Sequence, residues 1–328
     1  TAWNNSPPFC TQPLTAATFP RPSNDLRDRR RTHTDDTMMT PAEAQTYCTT
    51  LTKKSGSNFY YSFLFLPKAR REAMYTVYAF CKEVDNAVDE PPPGSHPQEE
   101  LARWRRELAA AYDGTPTFPV TVSLARHVRE LSIPQAYFEE LIKGVEMDLT
   151  TTRYATFDQL SLYCYRVASV VGLICLHVFG TTSPRAQDYA VNLGMAFQLT
   201  NILRDLGNDA ECGRVYVPQE DLARFAYREE DLLHRRYKPE FTEFMRFEVG
   251  RAKEFYAKAA RALDSLPRAE RRALTVAEIM RGVYSRILHR IEQSGYRVLG
   301  DRVTLTPSHR LAVAAGVWLR SRLPSSTP

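Results

Sequence analysis

Four acids stand in two pairs at helical i,i+4 spacing: Asp85 and Asp89 in KEVDNAVDE, and Asp205 and Asp209 in NILRDLGND. A helix puts residues four apart on one face, so each pair presents two carboxylates side by side. Like charges this close raise each other's pKa unless a cation lies between them. The hard ion that carboxylates hold while leaving positions for water and phosphate is Mg²⁺. Two such pairs point to a diphosphate held through metal. Each pair also has an ordinary reading: a solvated face paired with Lys82 for the first, stray acids at a helix end for the second. The neighbours weigh against both. Tyr78, Ala79, Phe80, Cys81, Val84, Ala87 and Val88 make the first helix apolar almost all round, which implies burial. Acids at a helix C-terminus oppose its dipole and require a compensating cation. Gln198, Asn201 and Asp205 also fall at i, i+3 and i+7, a polar stripe whose oxygens could share a metal.

The elements that must carry these acids are helical. From Thr40 onward almost every segment has the 3.6-residue period and strand-like alternation is nearly absent, so the fold class is all-α. Thr40, Pro41 and Glu43 form a helix start with a capping box. A helix is expected from about Pro67 to the Pro91–Gly94 cluster that stops it, with others near 98–112 and on either side of Pro134. A long apolar helix should open at Thr156 or Asp158 and run to Gly180, and another should run from Arg185 to about Asp209. After the polar loop DAECGRVYVPQ, helices are expected at 220–234, 240–264, 268–294 and 308–321. Residues 1–38 are read as a disordered or non-native extension: they are rich in Thr, Pro, Asn and Arg and have no apolar segment of signal-peptide type. Residues 39–323 are read as one domain.

Composition narrows the function. The chain has 328 residues, 43% of them hydrophobic, and a formal charge of +5 from mixed Lys, Arg, Asp and Glu, which gives no footprint for nucleic acid. Six cysteines without CxxC spacing read as reduced thiols and a cytoplasmic location. No apolar run approaches 18 residues, so a membrane-crossing helix is not expected. The last segment, SHRLAVAAGVWLRSRL, would either pack on the domain or rest peripherally on a membrane surface. The seven histidines show no metal spacing, and His177 reads as a core residue. The absence of a GxGxxG or P-loop gives no sign of a dinucleotide site.

Three segments together resemble the squalene and phytoene synthases, the head-to-head prenyl synthases. They are SFLFLPKARREAMYTVYAFCKEVDNAVDE, YCYRVASVVGL from Tyr163, and NLGMAFQLTNILRDLGNDAECGRVYVP from Asn192. The resemblance runs from about Gly56 to Arg302 and is strongest to the bacterial hopanoid-pathway branch that makes presqualene diphosphate. It implies an isoprenoid synthase fold, a single helical domain around a central apolar cavity. It implies two or three Mg²⁺ ions on Asp85, Asp89, Asn201, Asp205 and Asp209, with Asp85 and Asp205 central to catalysis. Diphosphate would be bound by Tyr78, Lys82, Arg204, Arg214, Tyr284 and Arg302, the last loop closing through Arg214 and Tyr216. Tyr163 would steer the cation or help remove its proton. Phe59, Phe63 and Gln198, with Tyr60, Phe65, Leu173 and Phe197, would line the cavity.

The substrate implied is farnesyl diphosphate, with no NADPH expected for the first half-reaction and a downstream squalene-forming enzyme as a possible partner. Geranylgeranyl diphosphate, giving phytoene, is the enzymatic alternative. A non-catalytic assembly factor or a terpene cyclase is a third reading, disfavoured because all four acids are present and the YCYRVASVVG and GRVYVP segments fit a synthase. Three positions depart from the family pattern: Lys82 where Arg is usual, Asn86 for the second Asp of DDxxD, and Asn58 where Ser is frequent.

Overall fold

The structure is a computed structural model, and it describes residues 39–300 and 302–322. The reading of residues 1–38 as an extension lies outside the described residues. The first helix, α1 (Pro41–Lys54), carries the capping box read from the sequence. Thr40 Oγ1 accepts the Glu43 N–H at 3.3 Å, and the Glu43 carboxylate accepts the Thr40 N–H at 2.9 Å. A one-and-a-half-turn helix, α2 (Asn58–Phe63), follows; periodicity gave no sign of it, and the Ser57 hydroxyl opens it by accepting the Tyr60 N–H. Then come α3 (Lys68–Asp89), α4 (Pro97–Asp113), α5 (Pro119–Glu130) and α6 (Gln135–Met147). Proline stands in the first turn of α1, α4 and α5, where its missing N–H costs nothing.

The long apolar helix expected from 158 to 180 is three pieces on one continuous path: α7 (Phe157–Cys164), a π-helical segment over 165–169, and α8 (Val170–Phe179). By length and composition Phe157–Phe179 could cross a membrane, but two-thirds of its apolar window is buried against the rest of the fold. Its hydropathy is explained by packing. α9 (Pro184–Glu211) runs through the centre, touching α7, the π segment, α8 and three later helices. Gly194 makes this approach possible: a Cβ there would lie 2.6 Å from Ser169 Cα in the π segment, so no larger residue fits.

Two expected helices are broken. The 220–234 helix is α10 (Gln219–Arg224) and α11 (Glu229–Leu233), because Ala226 turns the chain at a φ of 52°. The 268–294 helix is α13 (Arg268–Ala273) and α14 (Thr275–Gln293), after α12 (Pro239–Asp264). α15 (Pro307–Arg322) packs on α14 and α2 with Val313 and Ala314 buried, while Leu311 and Leu319 stay exposed. The only bridge of β type among the described residues pairs Arg153 with Val215.

α12 is locked to the chain beneath it by a buried ionic triad. One nitrogen of Arg251 donates to Asp221 Oδ2 at 2.7 Å and to Glu248 Oε1 at 2.7 Å, while its guanidinium lies 4.1 Å over the Phe157 ring. One cation faces two buried carboxylates, and burial pushes Glu248 up to about 8. The folded state therefore holds a proton that the unfolded chain releases nearer the ordinary glutamate value. Stability is fully expressed below that value and falls as pH rises towards 8, by up to about 1.4 kcal/mol per pH unit. Denaturant titrations from pH 5 to 8 should show this decline in the wild-type protein, and Glu248→Gln should flatten it.

Candidate active site

α9 turns Gln198, Asn201, Arg204, Asp205 and Asp209 towards α3, and all but Asp205 are less than 9% exposed. Asp205 is gripped from two sides. Arg204 donates through Nε at 2.8 Å and Nη2 at 2.5 Å, and Arg302 donates through Nε at 2.6 Å and Nη2 at 2.8 Å. Despite burial, these two guanidiniums hold the Asp205 carboxyl far below the usual carboxylate range. Arg302 is nearly a hundred residues away in sequence and reaches Asp205 because the 296–300 turn lies against α9 at Gly207. A Cβ on that glycine would sit 2.6 Å from Leu299 Cα.

Asp209 is one turn further on and has no such grip. Burial, with Asp205 and Asp148 nearby, pushes it up to about 7. Asn201 Nδ2 leans on Gln198 Oε1 at 3.5 Å, and Asn201 Oδ1 is buried with no hydrogen-bond partner among the described residues.

The facing motif lies at the end of α3. Asp85 is 1% exposed, and Asp89 accepts from Arg214 Nη1 at 3.2 Å. Arg214 belongs to the loop after α9, which is strapped to residues 152–155. Val215 N–H donates to Thr152 O at 3.0 Å and Gln219 N–H to Tyr154 O at 2.9 Å, while Arg153 Nη1 caps the Gly213 carbonyl at 2.5 Å. The loop thus carries Arg214 onto Asp89 and lays Tyr216 flat on Tyr163, ring centroids 5.3 Å apart. Lys82 is half-buried on α3 and is not among the side chains that pair with these acids. Nothing is described for the Asn58 side chain.

An aromatic wall adjoins the acids. Phe197 stacks on Tyr284 at 4.5 Å, Phe59 touches Tyr284 at 5.8 Å and Tyr78 at 6.4 Å, and Phe197 meets Tyr256 at 6.3 Å. Tyr78 and Tyr284, expected as hydroxyl donors to diphosphate, thus stand together with Phe59 and Phe197. Tyr60 and Phe63 pack against Tyr75, one turn before Tyr78 on α3. Phe65 is a correction: it packs on Trp318 and lines a separate outer groove with Arg70 and Arg272, so it does not face the acids. His177, expected in the core, is half-buried, its Nδ1 3.2 Å from Leu131 O.

Two residues escaped the sequence reading. Asp148 caps α6 and accepts from both Tyr163 and Tyr216. Arg310, read only as part of a basic terminal segment, reaches back to Gly56 O at 3.4 Å. Its Nε is buried without a hydrogen-bond partner among the described residues, and burial, with Arg204 and Arg302 nearby, weakens its hold on its proton. Both signals are tertiary: neither residue sits in a motif.

The donor set suits a hard divalent cation. Buried oxygen ligands from Asp85, Asn201 and Asp209 include one acceptor with nothing to accept, and no soft ligand stands among them. As they stand, no three acid, histidine or cysteine side chains among the described residues converge tightly enough to hold an ion. Asp205, expected as a metal ligand, has both oxygens taken by arginines, so binding metal there would require those arginines to move to another anion.

The sequence matches the squalene/phytoene synthase family over residues 52–309. It is 35% identical to a phytoene synthase of Arthrospira platensis, covering 87% of this chain and 97% of that protein. It is 34% identical to the 15-cis-phytoene synthase of a Synechocystis species, covering 93% of each. Among solved structures, a squalene synthase from Alicyclobacillus acidocaldarius superposes with a TM-score of 0.71 at 29% identity, over 78% of this chain and 95% of that one. A dehydrosqualene synthase in complex with a ligand gives 0.75 at 28%, over 86% and 98%.

Arg302 is engaged by Asp205, and the diphosphate expected from the sequence would compete with that carboxylate for it. With Arg302→Gln, titration calorimetry should find Mg²⁺ alone bound more tightly, by roughly tenfold for one charge-assisted pair removed. Inorganic diphosphate in the presence of Mg²⁺ should bind more weakly by a similar factor.

Proposed function

The chain belongs to the squalene/phytoene synthase family, whose enzymes are prenyltransferases, and we propose that it joins two farnesyl diphosphates head to head into presqualene diphosphate in a Mg²⁺-dependent reaction. The observation that carries this reading is the pairing of two facing acid motifs, each held in reserve by its own arginines: Asp205 by Arg204 and Arg302, Asp89 by Arg214. A site for two diphosphates needs that duplication.

The chemistry begins with binding. Arg204, Arg302 and Arg310, with the hydroxyls of Tyr78 and Tyr284, offer donors to a diphosphate, and Arg214 and Lys82 serve the other motif. Arginine matches phosphate oxygens through its fixed fork, whereas Lys82 contributes a point charge. Mg²⁺ on Asp85, Asp89, Asn201, Asp205 and Asp209 would neutralise charge developing on the departing diphosphate. Loss of diphosphate from the first substrate leaves an allylic cation at C1, which the C2=C3 bond of the second attacks. Phe59, Phe197 and Tyr256 keep water from that cation, which would otherwise end as an alcohol. The Tyr163 oxygen then removes the proton whose loss closes the cyclopropane.

The squalene-type names of the similar solved structures support C15 substrates. The phytoene synthase names of the similar curated proteins favour a second reading, the same reaction on geranylgeranyl diphosphate. Cys48, Cys81 and Cys164 are buried thiols and Cys175 is half-buried, Cys48 and Cys175 pushed up to about 12 by desolvation, in keeping with a reducing cytoplasmic setting. We assign peripheral lipid contact to the outward side of α15, where Leu311 and Leu319 are exposed beside Arg320.

Purified protein incubated with Mg²⁺ and either farnesyl or geranylgeranyl diphosphate should yield presqualene diphosphate from the C15 substrate by mass spectrometry. Turnover of the C20 substrate alone would overturn the C15 assignment. Asp85→Ala and Asp205→Ala should each lower turnover by roughly 10²-fold or more, the usual scale for losing one charge-stabilising group; undiminished turnover would overturn the metal assignment.

A further inference from the structure

Behind Tyr163 lies a buried carboxylate that no part of the mechanism above uses. Asp148 caps α6 and is 5% exposed. Its Oδ2 accepts the Tyr163 hydroxyl at 3.1 Å and its Oδ1 accepts the Tyr216 hydroxyl at 2.9 Å, one tyrosine to each oxygen. Tyr154 completes the cluster, its ring 5.6 Å from that of Tyr163 and 6.1 Å from that of Tyr216. All three rings are buried, so the Tyr163 ring has no room to rotate away. Tyr163 stands on the last turn of α7, directly before the π-helical segment, a local widening of the helix that often marks functional positions.

We propose that Asp148 is the positioning residue for Tyr163 and the final acceptor of the proton that Tyr163 removes. The inference rests on the head-to-head reading above. With its hydrogen committed to Asp148, the Tyr163 oxygen keeps its lone pairs for an incoming proton. A neutral phenol is by itself a feeble base; one whose own proton can pass to a carboxylate is far stronger. In the step assigned, a C–H bond of the carbocation breaks and its electron pair forms the ring-closing C–C bond. The proton goes to the Tyr163 oxygen, and the Tyr163 hydroxyl proton passes to Asp148. The cationic charge and the carboxylate charge disappear together, leaving a carboxylic acid that returns its proton to water or to diphosphate when product leaves.

Burial pushes the Asp148 pKa up, with Arg214 opposing this and Asp89 reinforcing it, so the carboxylate is predisposed to take the proton. The second oxygen's bond to Tyr216 ties this acceptor to the loop that carries Arg214 onto Asp89. The loop thus supplies one of the two tyrosine hydroxyls that hold the acceptor.

Ionisation and proton removal are separate events, so two products report on them: diphosphate released and cyclopropyl product formed. Asp148→Asn keeps an acceptor for a hydrogen bond but cannot take up a proton at the same cost. It should release diphosphate with KM and rate within a few-fold of wild type, while cyclopropyl product per diphosphate falls by roughly 10²-fold, the scale of general-base catalysis. Prenyl alcohols should replace the missing product. Tyr163→Phe should show the same split, and the double variant should be no worse than either single one. Asp148→Glu, which keeps the carboxylate, should recover much of the ratio. Should Asp148→Asn not fold, Asp148→Ser is read in the same way. An unchanged ratio of product to diphosphate in the folded variant overturns the proposal even if both rates fall together. Wild-type protein that releases no diphosphate from either prenyl substrate instead overturns the functional reading on which it rests.

Discussion

Four aspartates cannot be buried beside one another in an α-helical core as bare charges. Burial and mutual repulsion would protonate them, as the rise of Asp209 to about 7 shows. The chain meets this constraint with its own cations. Asp205 is clasped by Arg204 and Arg302, and Asp89 by Arg214, and in both places the arginine hydrogen-bonds the carboxylate directly. The consequence is functional as well as structural. On the proposed function, a divalent ion entering among these acids would release the arginines, and released arginines are what a diphosphate would need. Metal and substrate are therefore expected to bind together, each relieving a charge that the other leaves exposed.

Those pairs exist only because helices approach closely at defined points. α9 meets the π segment where Gly194 lets Ser169 come within 2.6 Å of where a Cβ would be, and it meets the 296–300 turn where Gly207 does the same for Leu299. The first contact fixes the path on which Tyr163 is carried; the second delivers Arg302 to Asp205. The close packing of protein interiors makes such contacts unforgiving, so the backbone at two glycines sets the geometry of charges elsewhere.

The sequence exposed what is local. The capping box at Thr40, the stop after Asp89 and the polar stripe on α9 all follow from short-range chemistry, and the structure has each of them. It concealed what depends on partners. The expected 268–294 helix has a break at Leu274 that apolar periodicity passes over, and α2 is too short to show any period. Asp148 stands among the polar residues EMDLTTTR with nothing to mark it, because its importance comes from Tyr163 and Tyr216, fifteen and sixty-eight residues onward. Phe65 erred in the opposite sense: it belongs to an aromatic run whose other members face inward, but it comes after α2 has ended and turns to Trp318.

Charge balance explains the departures at 82 and 86. On the α9 side, Asp205 and Asp209 lie with Arg204 and Arg302, and Arg310 stands nearby as a further cation. On the α3 side, Arg214 pairs with Asp89 and Lys82 stands one turn before Asp85 on the same helix, two of each sign. An aspartate at 86 would add a third carboxylate to the second set with no further cation to meet it, in a region where Asp148 already adds negative potential to Arg214's surroundings. Asparagine at that position keeps the set neutral before any metal arrives. Lysine at 82 is consistent with the same balance: it supplies the charge without the fork that would pin a carboxylate, and Asp89 is left to Arg214. The first motif is thus held closed by a loop residue where the second is held by a helix and a turn, which makes the α3 side the half whose opening depends on the movement of that loop.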